Sequence, residues 1–294
     1  MRFPNEKFLP ILSCLIFLYS CTGSQPAAPE TVEQAVTSQG VVVDLLRCGE
    51  ADTTLLFIHG WNINKEYWQA QIDHFCPRYQ VVAIDLPGFG KSGRNRSNWA
   101  IEVYGRDILQ IIRTLELKNV VLIGHSMSGD VMLEAARQDP SAMIGLIGVD
   151  NFKEVGKAYS QEELLTVDTF FQILPNDYSN LVTDFTERYL FHENTPPQIR
   201  QRVLDNYQNA DPRVAIPIFR SVFDYGVKET TMIGGLKHKL LLINSDYTPT
   251  DTAGLQQYCP QGYELFTISG VGHFPMVEKP DEFNRLMEKA LGQL

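Results

Sequence analysis

Nowhere does this chain offer the roughly 20 consecutive apolar residues that a membrane-spanning helix needs; its longest apolar run, Phe8 to Tyr19, stops well short. Internal repeats and long blocks of like charge are also missing. Cations are in deficit, with 25 Lys+Arg against 35 Asp+Glu, which argues against a nucleic-acid or anionic-membrane surface and says nothing positive about a substrate. Cysteines number five and histidines six, and no metal-ligand spacing joins them. What is present is 294 residues with 44% apolar content, enough for one large core or one core with a sizeable insertion, and a poor match to disorder or fibre.

The first residues differ from the rest. Arg2 and Lys7 lead into the apolar run, which has the length of a signal-peptide core, and Leu18-Tyr-Ser-Cys21 and a soft linker follow it. The pattern resembles a bacterial lipoprotein signal, in which a Leu-x-small-Cys box is cleaved before the cysteine and that cysteine is lipidated. The resemblance implies a signal peptide over residues 1–20, lipidation at Cys21, and a linker over residues 21–40. It also implies a cell-envelope protein, on the periplasmic face or outer membrane, that meets the membrane through a lipid anchor only. An ordinary secretory signal or a buried N-terminal helix are the other readings of these residues. Lipidation of Cys21 would leave the exported part with Cys48, Cys76 and Cys259, an odd number, so at least one is free or pairs with something else; a Cys48–Cys76 disulfide is compatible with the spacing but not established by it.

From Val41 onward short apolar runs alternate with amphipathic stretches. Val41 to Leu46, Thr54 to Ile58, Val81 to Ile84, Val120 to Ile123, Ile144 to Val149, Leu240 to Ile243 and Leu265 to Ile268 are expected strands. Several are continuous rather than alternating, as strands covered on both faces are. Lys65 to Phe75, Trp99 to Leu115, Gly129 to Arg137 and Asp281 to Leu291 are expected helices, and the alternation predicts an α/β domain with a mainly parallel sheet. Residues 152–234 break the rhythm with helical patterns alone, among them Glu162 to Leu174, Gln198 to Gln208 after Pro196-Pro197, and Val214 to Phe223 after Asp211-Pro212. The return to a strand at Leu240 predicts a helical cap inserted into a core made of residues 41–151 and 235–294.

Val120-Val-Leu-Ile-Gly-His-Ser-Met-Ser-Gly129 is a buried strand, a Gly-x-Ser-x-Gly turn and the start of a helix. Small residues are needed at so sharp a turn, and Ser126 at its apex must take a strained backbone that exposes its hydroxyl. A serine hydroxyl is a poor nucleophile at neutral pH and needs a general base, normally a histidine oriented by a carboxylate. His273, on a glycine-flanked loop after the last strand, is the candidate base. His125 is expected to pack within the elbow, and His74, His192 and His238 to lie on the surface or cap. The charge of a tetrahedral intermediate needs backbone donors, which Trp61 and Met127 are placed to supply, with His59 holding the loop.

His59-Gly60 with Trp68 downstream, Asp85-Leu-Pro-Gly-Phe-Gly-Lys-Ser92, Gly124-His-Ser-Met-Ser-Gly129 and Gly270-Val-Gly-His273-Phe, in that order, resemble the α/β-hydrolase fold superfamily from about Val41 to the C-terminus. That resemblance implies a mainly parallel sheet flanked by helices, with the cap inserted after the sixth strand. It also implies a hydrolase of the serine-nucleophile branch that acts on a small-molecule ester or related acyl substrate, with no metal and no cofactor. Carbon–carbon bond hydrolysis, peptide cleavage or a silent ligand-binding role are the other readings.

The acid is the open position. In most relatives it follows the strand before the histidine strand, where this chain places Thr248; Asp246 falls two residues early and Asp251 three late. Asp150, at the tip of the neighbouring strand about 4.8 Å away, can approach the same histidine, and is the first choice, with Asp246 and Asp251 as alternatives.

Overall fold

The computed structural model describes residues 32–294, so the expected signal peptide and Cys21 lie outside the described residues. Eight strands form one sheet in the order β1-β2-β4-β3-β5-β6-β7-β8. They are β1 (Val32–Ser38), β2 (Val41–Cys48), β3 (Thr54–Ile58), β4 (Gln80–Ile84), β5 (Val120–His125), β6 (Gly145–Val149), β7 (Leu240–Ser245) and β8 (Tyr263–Ile268). The first two lie antiparallel at one edge, and β4 through β8 run parallel with β3. β1 occupies residues expected to be linker: its VEQAVTS pattern carries no apolar run, and an edge strand needs none, because pairing with β2 supplies its backbone hydrogen bonds.

Why the central strands read as unbroken apolar runs is visible in their burial: every residue of β3, β5, β6 and β7 is buried. Helices cover both faces. A short 3-10 turn at Lys65–Trp68 leads into α1 (Gln69–Phe75), and α2 (Ile101–Thr114) and α3 (Ser128–Gln138) follow in the next two crossovers. Chain direction across the sheet reverses between the β3→β4 and β4→β5 steps, and right-handed crossovers therefore put α1 on one face and α2 and α3 on the other. The contacts agree: α2 packs on α3, and α1 packs on α9 (Pro275–Glu278) and α10 (Pro280–Leu291).

Four helices stand between β6 and β7: α4 (Gln161–Ile173), α5 (Tyr178–Tyr189), α6 (Pro197–Gln208) and α7 (Pro212–Gly234). Prolines open α6 and α7, where a missing amide hydrogen is not needed. Past Phe223, where its apolar pattern was expected to stop, α7 continues to Gly234 and carries Pro217 within it. This insertion is fastened to the loops at the strand ends: the Trp61 indole donates to the Ala215 carbonyl at 2.9 Å, the Asn62 amide to the Tyr178 hydroxyl at 2.9 Å, and the His273 amide to the Leu190 carbonyl at 2.9 Å. The remaining helix, α8 (Thr252–Tyr258), links β7 to β8. A disulfide joins Cys48 to Cys76, Cα atoms 5.7 Å apart, while Cys259 is buried and free.

Candidate active site

β5 ends at His125 and the chain turns directly into α3, leaving Ser126 at φ 55°. A non-glycine residue in that region costs on the order of 1–3 kcal/mol, and the surrounding structure must hold it there. Two bonds do so: the Ser126 amide donates to the Val149 carbonyl at 2.9 Å, and the Ser126 carbonyl accepts from the Gly129 amide at 2.9 Å. Glycine is required before the turn by close approach, since a Cβ at Gly124 would stand 2.6 Å from the Ser128 carbonyl oxygen. The same holds across the turn, where a Cβ at Gly60 would stand 2.5 Å from His125 Nδ1 and 3.1 Å from Ser126 Cβ. The loop carrying His59, Gly60 and Trp61 therefore lies directly beside the serine.

On the loop after β8, His273 Nε2 lies 2.8 Å from Ser126 Oγ, and its Nδ1 lies 2.6 Å from Asp150 Oδ2. An ionised carboxylate only accepts, so Nδ1 carries the ring hydrogen and Nε2 accepts from the serine hydroxyl. Asp150, at the tip of β6 with φ 49°, is 3% exposed. Its other oxygen, Oδ1, accepts from the Ser245 amide at 2.8 Å, the Ser245 hydroxyl at 2.5 Å and Lys153 Nζ at 2.8 Å. Burial alone would raise this carboxyl's pKa; the hydrogen bond and charge of His273 and the Lys153 ammonium outweigh it and hold the group well below the usual carboxylate range.

Neither alternative acid takes part in this chain of hydrogen bonds. The exposed Asp246 accepts from the Gly270 amide at 3.3 Å, and Asp251 caps α8 by accepting from the amides of Ala253 and Gly254. Thr248 lines a polar cavity of about 610 Å³ together with Arg188, His192 and Tyr247. The absence of an acid at Thr248 thus leaves His273 with a carboxylate all the same.

Among the described residues, the backbone amides of Trp61 and Met127 donate to no protein acceptor. The Trp61 side chain faces the insertion, its ring stacked on Phe219 at 4.3 Å and edge-on to Phe185 and Tyr207. His59 is fully buried; its Nε2 accepts from the Leu86 amide at 2.9 Å, so its Nδ1 donates to the Gly60 carbonyl at 2.7 Å and fixes the turn. His125 donates from Nε2 to the His273 carbonyl at 2.7 Å, which leaves its buried Nδ1 unpartnered. Burial first, then the charge of His273, push its pKa down to about 3, and it stays neutral. His74 and His238 lie at the surface against Glu288 and the Pro140 carbonyl, and His192 lines the polar cavity.

Three contributors escaped sequence reasoning. Ser245 was legible only as a stand-in for a glycine, yet both its amide and hydroxyl bind Asp150. Lys153 reaches back three residues to the same carboxylate, and Asn151 donates to the carbonyls of Gly124 and Ser126 at 2.9 and 3.3 Å. The one readable signal was the short spacing of Asp150, Asn151 and Lys153 at a strand end. Among the described residues no group of histidine, cysteine and acidic side chains is arranged to hold a metal ion, and no helix is long and apolar enough to cross a membrane.

A mostly parallel eight-stranded sheet, with a strained serine elbow where its fifth strand enters a helix, has the architecture of an α/β hydrolase. A family model described as the alpha/beta hydrolase fold matches residues 53–280; the chain belongs to that family, and it is an enzyme, a hydrolase. The AB hydrolase superfamily protein YisY of Bacillus subtilis (strain 168) is 22% identical over 248 residues, 79% of this chain and 89% of that protein. A pimeloyl acyl-carrier-protein methyl ester esterase of Yersinia pseudotuberculosis is 32% identical over 108 residues, 35% of this chain and 38% of its own length. The solved structure of a thermophilic esterase from Thermogutta terrifontis, with malate bound, is similar with a TM-score of 0.75 at 20% identity, covering 90% of this chain and 98% of the esterase.

Proposed function

We propose that the protein is an exported, lipid-anchored serine hydrolase that cleaves a carboxylic ester or related acyl substrate. The observation that carries this reading is the unbroken chain from Ser126 Oγ to His273 Nε2 at 2.8 Å and from His273 Nδ1 to Asp150 at 2.6 Å. In the proposed reaction Ser126 Oγ attacks the substrate carbonyl as His273 Nε2 takes its proton. The negative charge that forms on the carbonyl oxygen is met by the amides of Trp61 and Met127, and Asp150 stabilises the imidazolium. His273 then returns the proton to the leaving oxygen, an acyl-serine remains, and water activated by the same imidazole releases the acid.

Substrate class is supported by the insertion, which we read as a cap. Phe170, Phe171, Phe185 and Phe219 line a largely apolar cavity of about 380 Å³, within the usual size of small-molecule sites. Trp61, the residue after the Gly60 that lies beside Ser126, stacks on Phe219, one of the side chains that line that cavity. An apolar acyl group of small to medium size suits this lining. Export is supported by the Cys48–Cys76 disulfide, a bond typical of oxidising compartments, and the lipid anchor by the Leu18-Tyr-Ser-Cys21 pattern.

Treatment of the folded protein with a fluorophosphonate should label Ser126, read by peptide mass spectrometry. The wild type should turn over p-nitrophenyl acetate and butyrate, and Ser126→Ala should not. An unlabelled Ser126 in folded protein would overturn the reading.

A further inference from the structure

Asp150 has two oxygens and two cationic or potentially cationic neighbours, one on each. His273 holds Oδ2, and Lys153 holds Oδ1 at 2.8 Å. The lysine is not a loose surface arm. Its side chain is 11% exposed, its Nζ also donates to the Ser245 carbonyl and hydroxyl at 3.1 Å, and it lies over the Tyr247 ring at 4.4 Å. Its backbone is fixed as well, because Asp150 and Phe152 both adopt positive φ and the Asp251 amide donates to the Lys153 carbonyl at 2.8 Å. This curl folds Lys153 back onto the strand tip it has just left.

We propose that Lys153 is a positioning residue that sets, through Asp150, the pH below which His273 can no longer act as the base. The inference rests on the serine-hydrolase reading of the site given above. When His273 takes the serine proton or a proton from solvent, its new positive charge meets a carboxylate already paired with an ammonium. Two cations then share one anion, and the protonated imidazole is stabilised less than it would be by Asp150 alone.

The other groups around the pair do not duplicate that charge. From β5 the neutral His125 ring lies 4.7 Å from His273, and His59 behind it is buried with its pKa lowered by that burial. The Tyr247 phenol, from the loop after β7, is kept protonated by burial and by Asp150. Glu278, from α9, is engaged by the amides of Gly272 and Phe274 and the Thr195 hydroxyl. Asp246, which feels His192, binds the Gly270 amide. Among the described residues, Lys153 and His273 are the ion-pair partners of Asp150.

The test follows the rate of Ser126 labelling by a fluorophosphonate across pH, in the full chain, which needs no natural substrate. Removing the charge in Lys153→Gln should move the acidic limb of the profile upward by about one pH unit, so that labelling on that limb slows about tenfold at fixed pH. Lys153→Arg, which keeps the charge, should restore the wild-type limb. Lys153→Met, with an apolar arm that still covers Tyr247, repeats the neutral variant should the glutamine disturb folding, as judged by circular dichroism. A neutral variant whose limb superimposes on the wild type, with only the plateau lowered, makes Lys153 a strut and overturns the inference; so does an arginine variant that shifts as far as the glutamine. A wild type that leaves Ser126 unlabelled at every pH fails differently, since it removes the hydrolase reading itself.

Discussion

Both carboxylate oxygens of Asp150 are engaged, and every partner is a donor. An asparagine there would give its one oxygen to the three donors of Ser245 and Lys153 and turn its NH₂ group toward His273 Nδ1, so the imidazole would lose the acceptor that selects its tautomer. Asp150→Asn should therefore lower kcat/KM for p-nitrophenyl butyrate by roughly 10⁴-fold, the scale seen when a triad acid becomes an amide. Asp246→Asn and Asp251→Asn should stay within a few-fold of wild type, because one is an exposed partner of Gly270 and the other a helix cap that asparagine fills well. A reversed ranking would mean that the acid is elsewhere. At this scale the Ser126–His273 contact was readable, since a strained elbow and a glycine-flanked histidine leave local patterns. Ser245 and Lys153 were not, because a single polar side chain in a loop has no periodicity, and its reach depends on positive backbone angles at Asp150 and Phe152 that no residue type there announces.

Between α3 and α7 two carboxyl groups meet, Asp130 from the elbow helix and Glu229 from the insertion. Burial raises the pKa of both, and for Asp130 the charge of Glu229 adds to it. The sign is set by where the protons sit: folded, the pair keeps protons that the unfolded chain has already lost. Stability from this contact is full below the ordinary carboxylate range and declines as pH rises through the raised values toward neutrality. Glu229→Gln should flatten that decline and raise the melting temperature at pH 8 by about 2–4 °C, measured by calorimetry from pH 5 to 8. No gain at pH 8 would show the two groups to be adequately solvated. Most elements were legible from pattern, the central strands because continuous burial demands continuous apolar residues. β1 was hidden by its polar edge sequence, and the last turns of α7 by a helix whose contacts shift from the cavity to α3, where Tyr225 donates to Glu134.

For the molecule as a whole, the Cys48–Cys76 bond ties the end of β2 to the residue after α1, closing a loop with a sequence separation of 28. A loop of that length is worth about 3–4 kcal/mol in the chain-entropy account, so the double variant Cys48→Ala, Cys76→Ala should melt well below the wild type in non-reducing buffer. Equal melting would show that the bond adds nothing to the fold. The α/β class was readable from the order of elements, as was the run of helices between β6 and β7, whereas the pairing was not, because three candidate cysteines offer spacing but no geometry. One arrangement reaches beyond chemistry and stability. With the carboxylate for His273 standing on β6, the stretch 246–249 after β7 is released from a duty that would otherwise pin its length and composition, while it still rims the polar cavity beside Arg188 and His192. Within it Asp246 still holds the Gly270 amide and Tyr247 still lies beneath Lys153, but Thr248 on the rim can be exchanged by selection or by a designer without rewriting the chain of hydrogen bonds behind it.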